Sequence, residues 1–329
     1  MSAATPVSRF VSDAGADDVV IPFAVTPLDV RGRLVRLGPA LDILLGNHGY
    51  PADVARAVGE AAALTALLGT ALKFEGHFQL QTRTDGVIDM LVVDFDAPDR
   101  LRAFARFDAE KLEAARATGN ATPAGLLGKG HLAFTIDQGA DMSRYQGLVA
   151  LEGQGLEAAA HEYFLRSEQI PTLVRLAVGE ILGAGATGHW RAGGLIVQFL
   201  PDSPERRRMA DLPPGDAPSG AQVDEFREDD AWSEARALAA TVEDHELVDP
   251  NLSSERLLYR LFHERGVTVF EPSVLRHACR CSRDGIQTML KRFTKEERRD
   301  MVGEDGRIGV TCEFCGVKRD FEPSEVEGE

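Results

Sequence analysis

No cysteine occurs in the first 278 residues of this 329-residue chain. That excludes a disulfide-stapled scaffold, which would spread its cysteines through a small secreted domain. No apolar run approaches the roughly 18 residues that a bilayer span requires. The longest, Ala61–Leu72, has twelve residues and includes Thr65, Gly69 and Thr70. The first eighteen residues hold one Arg, three Asp and no apolar centre, so they do not read as a signal peptide. Positive charge is also scarce: 36 Lys and Arg face 52 Asp and Glu, a formal charge of −16 with a pI near 5.0. This balance argues against a broad nucleic-acid surface or an anionic-membrane surface. These absences predict a cytoplasmic protein with no membrane partner.

Catalytic motifs are missing as well. There is no nucleophile elbow, and the histidines form no HExxH or HxxxH pair. Gly183–Gly188 spells GxGxxG, but the residues after it lead into a strand and not the helix a dinucleotide site needs, so it reads as a hairpin loop. Gly128-Lys129 is no phosphate loop, because Pro123 and Gly130 stand where the first glycine and the hydroxyl residue belong. No catalytic residue and no nucleotide cofactor are expected, which is the pattern of a non-enzyme.

What is present describes a folded chain of two or three domains, with 44% apolar and 27% charged residues. Residues 1 to 20 read as a loose tail. From Ile21 to about Leu200 the pattern is α+β. Pro51 opens an amphipathic helix carrying Val54, Val58, Ala61, Thr65, Leu68 and Leu72. Strands are expected at His77–Thr82, Val87–Val93, His131–Ile136, Tyr145–Leu151, Leu173–Val178 and Leu195–Leu200, in a mixed or antiparallel sheet. Further helices are expected at Pro98–Ala117 and Leu156–Arg166. Residues 201 to 221 carry five prolines and read as a linker or insertion. Asp224–Asp249 holds ten acids against Arg227 and Arg236. Helices at Ser233–Leu247 and Ser254–Glu264 are plausible there, but the first has a poor apolar face and needs something to dock on. Residues 201 to 266 thus form an acidic, metastable helical linker, and 267 to 329 a small C-terminal module.

That module holds all four cysteines: Cys279-x-Cys281, then Cys312-x-x-Cys315. Two close pairs of thiolates suit a tetrahedral zinc ion, each pair clamping one edge. One zinc per reduced chain is expected on Cys279, Cys281, Cys312 and Cys315, with His277 a neighbour and not a ligand. Gly316 suits the tight turn of a zinc knuckle that aims backbone N–H groups at sulfur, and Thr294-Lys295-Glu296-Glu297 is a capping box that starts a helix. A plain zinc ribbon would use two residues between its first cysteines. One residue makes a strained, labile ring on oxidation, and eight Lys/Arg between Arg276 and Arg299 favour the reactive thiolate. Those same cations leave open a zinc-ribbon nucleic-acid binder, and the Cys312-x-x-Cys315 pair leaves open a thiol–disulfide oxidoreductase.

Beyond the cysteines, several stretches resemble one family. They are Val30-Arg31-Gly32, Leu72-Lys73-Phe74, Tyr145–Gly153, Tyr163–Thr172 (YFLRSEQIPT), Tyr259–Glu264, Cys279–Arg283 and Glu304–Ile308. Over nearly its whole length the chain resembles the 33 kDa heat-shock proteins, bacterial redox-regulated holdase chaperones. The resemblance implies an inactive, zinc-bound reduced form. It also implies that oxidation by peroxide or hypochlorous acid joins Cys279 to Cys281 and Cys312 to Cys315, releasing zinc and unfolding the linker. The exposed surface then binds unfolding client proteins without ATP, in an oxidised homodimer. The α+β core, which has no cysteine, is expected to fold without zinc.

Overall fold

The computed structural model describes residues 5–6, 17–72, 76–138, 144–182, 188–200 and 229–327. Of the expected N-terminal tail, residues 1–4 and 7–16 lie outside the described residues. So do the proline-rich segment 201–221, Lys73 and Phe74, and the Gly183–Thr187 stretch of the GxGxxG motif. The last part of the expected tail is no tail: Asp18 accepts the N–H groups of Gly38 and Ala40, and the buried Val19 and Val20 open a strand of the core.

The chain is α+β, with two large sheets where the sequence suggests one. In chain order the strands are β1 (Thr5–Pro6), β2 (Val19–Val25), β3 (Val30–Leu37), β4 (His77–Thr84), β5 (Ile88–Asp96), β6 (Arg100–Phe107), β7 (Lys129–Asp137), β8 (Tyr145–Glu152), β9 (Thr172–Leu182) and β10 (Gly188–Phe199). They are followed by β11 (Thr268–Val269), β12 (Ser273–Val274), β13 (Arg276–His277), β14 (Ile308–Thr311) and β15 (Lys318–Phe321). Sheet A runs β1-β11-β2-β3-β10-β9, with β12 also on β2; sheet B runs β13-β6-β5-β4-β7-β8; β14 and β15 form a hairpin. Every described pairing is antiparallel except β13 with β6.

The helices are α1 (Pro39–Gly46), α2 (Ala52–Gly69), α3 (Ala109–Ala117), α4 (Pro123–Leu127), α5 (Leu156–Tyr163, continued by a π turn to Glu168), α6 (Asp230–Ala240), α7 (Asp244–Val248), α8 (Ser254–Phe262), α9 (Arg283–Leu290) and α10 (Lys295–Asp300). α2 is the long amphipathic helix expected after Pro51, and its apolar residues face more than one way. Val54, Val58, Ala61, Ala62, Leu64 and Leu67 are all fully buried, because the helix lies between the two sheets. Val35 and Ile196 of sheet A and Leu80, Val93 and Phe134 of sheet B close around it.

The expected helix at Pro98–Ala117 is wrong in its first half. Arg100–Phe107 is a strand in which Leu101, Ala103 and Ala105 point into the core. A period of two fits that alternation better than 3.6. The helix begins at Ala109, where the Asp108 carboxylate accepts the N–H groups of Glu110 and Lys111. The expected helix at Ser233–Leu247 is two helices, interrupted at Thr241–Glu243, and Glu243 with Glu246 forms a capping box for the second.

Sheet A presents its other face to α6, α7 and α8. Val19, Ile21, Phe23, Val25, Leu34, Leu195 and Val197 pack against Trp232, Ala235, Ala239, Leu247, Leu257, Leu258, Leu261 and Phe262. The poor apolar face of α6 is thus one Trp and two alanines. Gly193 permits the closest approach, since a β-carbon there would collide with the Leu247 carbonyl. Beside it the buried Arg36 donates to the carbonyls of Asp249 (2.7 Å) and Glu246 (2.9 Å), closing the C-terminal end of α7.

At the free edge of sheet A, α5 supplies the missing partners of β9. His161 Nε2 accepts the Val174 N–H (2.7 Å) and the Glu157 carboxylate accepts that of Leu176 (2.5 Å). Nearby, burial pushes the Glu60 carboxyl of α2 up to about 8, and Glu157 and Asp244 add to the shift. A carboxyl raised above its unfolded value contributes stability that is full below about pH 4.5 and is lost as the pH rises to about 8. Glu60→Gln is therefore expected to stabilise the fold by about 1–3 kcal/mol at pH 8.5 and by little at pH 5. Urea midpoints at the two pH values check this. An equal gain at both would show that the charge is not the cause.

Candidate metal centre

The first cysteine loop leaves the end of β13, which is held on sheet B by pairing with Arg100 and Leu101 and by the Ala278 N–H on the Leu101 carbonyl (3.0 Å). After Cys281, Ser282 caps α9 through the Gly285 N–H (3.0 Å). The second loop is the turn of the β14–β15 hairpin. There Gly316 has φ +65°, a conformation that favours glycine, and its N–H goes to the Cys312 carbonyl (2.8 Å). The N–H groups that face sulfur are instead those of Cys281, toward Cys279, and of Val317, toward Cys315. The capping box at Thr294 and Glu297 starts α10 as its spacing predicts.

These two loops bring all four sulfurs within 4.8 Å of one another. Cys279 and Cys312 are 3.7 Å apart, Cys281 and Cys315 3.4 Å. A tetrahedral zinc–thiolate site with bonds of about 2.3 Å has sulfurs about 3.8 Å apart, so the cluster has the size to hold one ion. Among the described residues it is the one grouping of three or more His, Cys, Asp or Glu with such spacing. His277 stands outside it, on β13.

Electrostatics differ across the cluster. Burial opposes ionisation at Cys279, but the Cys281 N–H and the neighbouring sulfurs outweigh it and pull the thiol down to about 7. Burial pushes Cys315 up to about 12 and raises Cys281 too. Cys279 thus becomes a thiolate more readily than Cys281 or Cys315. Two guanidinium groups face the sulfurs: Arg319 Nη1 at 3.3 Å from Cys281, and Arg102 Nη1 of sheet B at 4.0 Å from Cys279.

Four of the eight cations in the basic stretch around the centre are engaged within the chain. Arg276 pairs with Asp99, Arg280 with Asp94 and Asp96, and Arg283 with Glu325, while Arg298 donates to the Lys291 and Phe293 carbonyls. Cys312 and Cys315 lie between two strands, without the strand-to-helix setting of a thioredoxin-like motif.

Among the described residues the module's own apolar core is Leu290, Ile308, Phe321 and Val326, with Ile286, Val302 and Val310 half-buried against it. A fold this thin around four clustered sulfurs, attached to the two-sheet body, is matched by a family model described as Hsp33 protein, over residues 18–322. The chain belongs to the Hsp33 family. A 33 kDa chaperonin of Caulobacter vibrioides is 45% identical over 302 residues, 91% of this chain and 93% of that one. One from Escherichia coli is 33% identical over 287 residues, 87% and 86% of the two chains. The crystal structure of a 33 kDa chaperonin (heat shock protein 33 homolog) from Thermotoga maritima has the same fold, with a TM-score of 0.71 at 19% identity. The match covers 94% of this chain and 96% of that one. No helix among the described residues is long and apolar enough to cross a membrane.

In this Hsp33-family chain the seat of the centre lies outside the residues that the sequence pattern marks. Arg102 lies over the Phe314 ring (4.0 Å to its centroid), Phe104 packs beside Phe314, and His48 Nε2 lies 3.2 Å from the Phe314 carbonyl oxygen. Asp94 is 1% exposed and gathers Arg102, His77 and Gln79. The available signal was Asp94-Phe95-Asp96: two acids at alternating positions of an apolar strand, which must face something polar.

Proposed function

We propose that the chain is a redox-regulated, ATP-independent holdase of the cytoplasm, not an enzyme, with Cys279, Cys281, Cys312 and Cys315 as both metal ligands and redox-active thiols. One observation carries this reading: four convergent sulfurs anchor a module whose separate apolar cluster has four fully buried side chains among the described residues. Zinc, when bound, would keep the four sulfurs as thiolates and tie the two loops together, supplying roughly 10–16 kcal/mol of apparent binding free energy to the folded module.

Peroxide would take two electrons from each cysteine pair. Cys279 and Cys281 form one S–S bond, the peroxide O–O bond breaks, and its two oxygens leave as two waters, taking two protons from solvent because the zinc-held sulfurs are thiolates. Cys312 and Cys315 do the same with a second peroxide. A disulfide offers no thiolate to a metal, and loops this short add little chain-entropy stabilisation in exchange. The module then loosens, and with it the acidic linker, exposing the apolar faces of α8 and sheet A to unfolding proteins. The working division is a core of about 21–200, a linker of 201–266 and a switch module of 267–329, with the oxidised chain acting as a homodimer.

The alternatives have less support. The arginines around Cys279 are occupied within the chain, which weakens a nucleic-acid surface, and the setting of Cys312 and Cys315 does not favour disulfide turnover. The test is zinc content and suppression of client aggregation on one sample, before and after oxidation. One zinc should be lost as holding activity appears, and reduction with zinc present should reverse both. Hydrogen exchange should rise across 224–329 and stay low in the core. Greater protection of 270–329 after oxidation, or no gain in activity, would favour a static zinc ribbon.

A further inference from the structure

We propose that Asp94 of β5 is the receptor that holds the C-terminal module on sheet B, with Arg280, the residue between Cys279 and Cys281, as its ligand and Arg102 as the positioning residue between them. This rests on the redox reading above and adds how the core regulates that centre.

Sheet B is short of positive charge at this place. On its outward face Asp94 and Asp96 stand side by side, both buried, with Arg102 the guanidinium that sheet B itself supplies to Asp94. Asp94 receives Arg102 Nε at 2.7 Å, Gln79 Nε2 at 2.9 Å and His77 Nε2 at 3.3 Å. Asp96 has His77 Nδ1 at 3.0 Å. Among the described residues, Arg102 is the one guanidinium of sheet B paired with these two carboxylates. Arg280 brings the second, placing Nη2 3.2 Å from Asp94 and Nε 3.2 Å from Asp96. Buried charges need partners of this kind. A site of four thiolates holding a divalent ion carries two negative charges in turn, and Arg102 faces its Cys279 corner.

The second cysteine loop sits on the same surface. Phe314 covers Arg102, and Gly316 lies where a β-carbon would come within 2.6 Å of the Asn47 carbonyl. The interface is therefore made by the two loops whose geometry changes when the cysteines are oxidised. Docking on the core and the tetrahedral arrangement of the sulfurs must then stabilise each other, and by thermodynamic linkage the effect runs equally in both directions. Weakening the latch lowers the oxidant needed to open the centre.

The experiment uses full-length, reduced, zinc-loaded protein. Arg280→Gln removes the ligand from a half-exposed position without touching sheet B, and Asp94→Asn removes the receptor. Asp89→Asn, which breaks the exposed pair with Arg106 on the same sheet, is the control. Hydrogen exchange is read over 276–282 and 312–317, and metal release under fixed peroxide is followed with a chromophoric chelator. Arg280→Gln should keep its zinc, leave core exchange unchanged, raise exchange in both cysteine loops and release metal about five- to fifty-fold faster. The double variant should do no more than the stronger single one. Wild-type exchange and release in Arg280→Gln, or effects of the two variants that simply add, would overturn the latch. A wild-type protein that binds no zinc, or keeps it under peroxide, would instead sink the redox reading. The exchange of the reduced variants would still decide whether the latch exists.

Discussion

Cys315→Ser should cost the reduced protein its C-terminal module and leave both large sheets standing. Cys315 is the most buried of the four cysteines, and it closes the hairpin turn against Cys281. A serine hydroxyl stays protonated near neutral pH and is a poor zinc ligand, so the site falls from four thiolates to three. The four buried side chains Leu290, Ile308, Phe321 and Val326 cannot order the rest of the module by themselves. The expected result is loss of stoichiometric zinc in native mass spectrometry and rapid protease cutting between about 278 and 327. A cooperative thermal transition from the core should remain, because α2 and its two sheets make no use of the cysteines. A variant that kept one zinc per chain and resisted protease would show that the sulfur cluster does not hold the module together.

Phe262→Ala should release the linker without any oxidant. Phe262 is fully buried and stacks on Phe23, with ring centroids 5.7 Å apart. Truncating a buried phenylalanine costs about 3–5 kcal/mol. The loss falls on a segment whose remaining anchors are Leu257, Leu258 and Leu261 on α8, Leu247 on α7 and the narrow Trp232–Ala235–Ala239 stripe on α6. The reduced variant is expected to keep its zinc, to be cut by trypsin within 229–262, and to suppress client aggregation before oxidation. If its linker is cut but aggregation is not suppressed, the face between sheet A and α8 is not the client surface.

How much the sequence disclosed depended on the range of the interactions. The four cysteines, the Thr294 capping box and the α2 stripe are set by near neighbours and were legible as spacing. The strand β6 was misread because Arg100–Phe107 has short alanines on its buried side, which weaken a period of two and suit a helix equally. The strands β2 and β3 lack a clean period of two as well. β2 is a nearly continuous apolar run, since sheet A is covered on one face by α2 and on the other by the linker helices, while Arg31, Arg33 and Arg36 break up the apolar pattern of β3. The docking of Arg280 on Asp94 joins residues 186 positions apart, and no local pattern encodes such a pairing.

The strand Val19–Val25 has β3 along one side. Its other side is covered by two short pieces of the segment that leads to the cysteines: Thr268–Val269, with Thr5–Pro6 beyond it, and Ser273–Val274. Any event that peels this segment away strips those backbone hydrogen bonds and turns Val19–Val25 into an open edge. Open edges pair with extended polypeptide through main-chain groups, whatever the side chains. An unfolding protein would then meet a template as well as a greasy surface, and residues 268–274 would compete to take that template back.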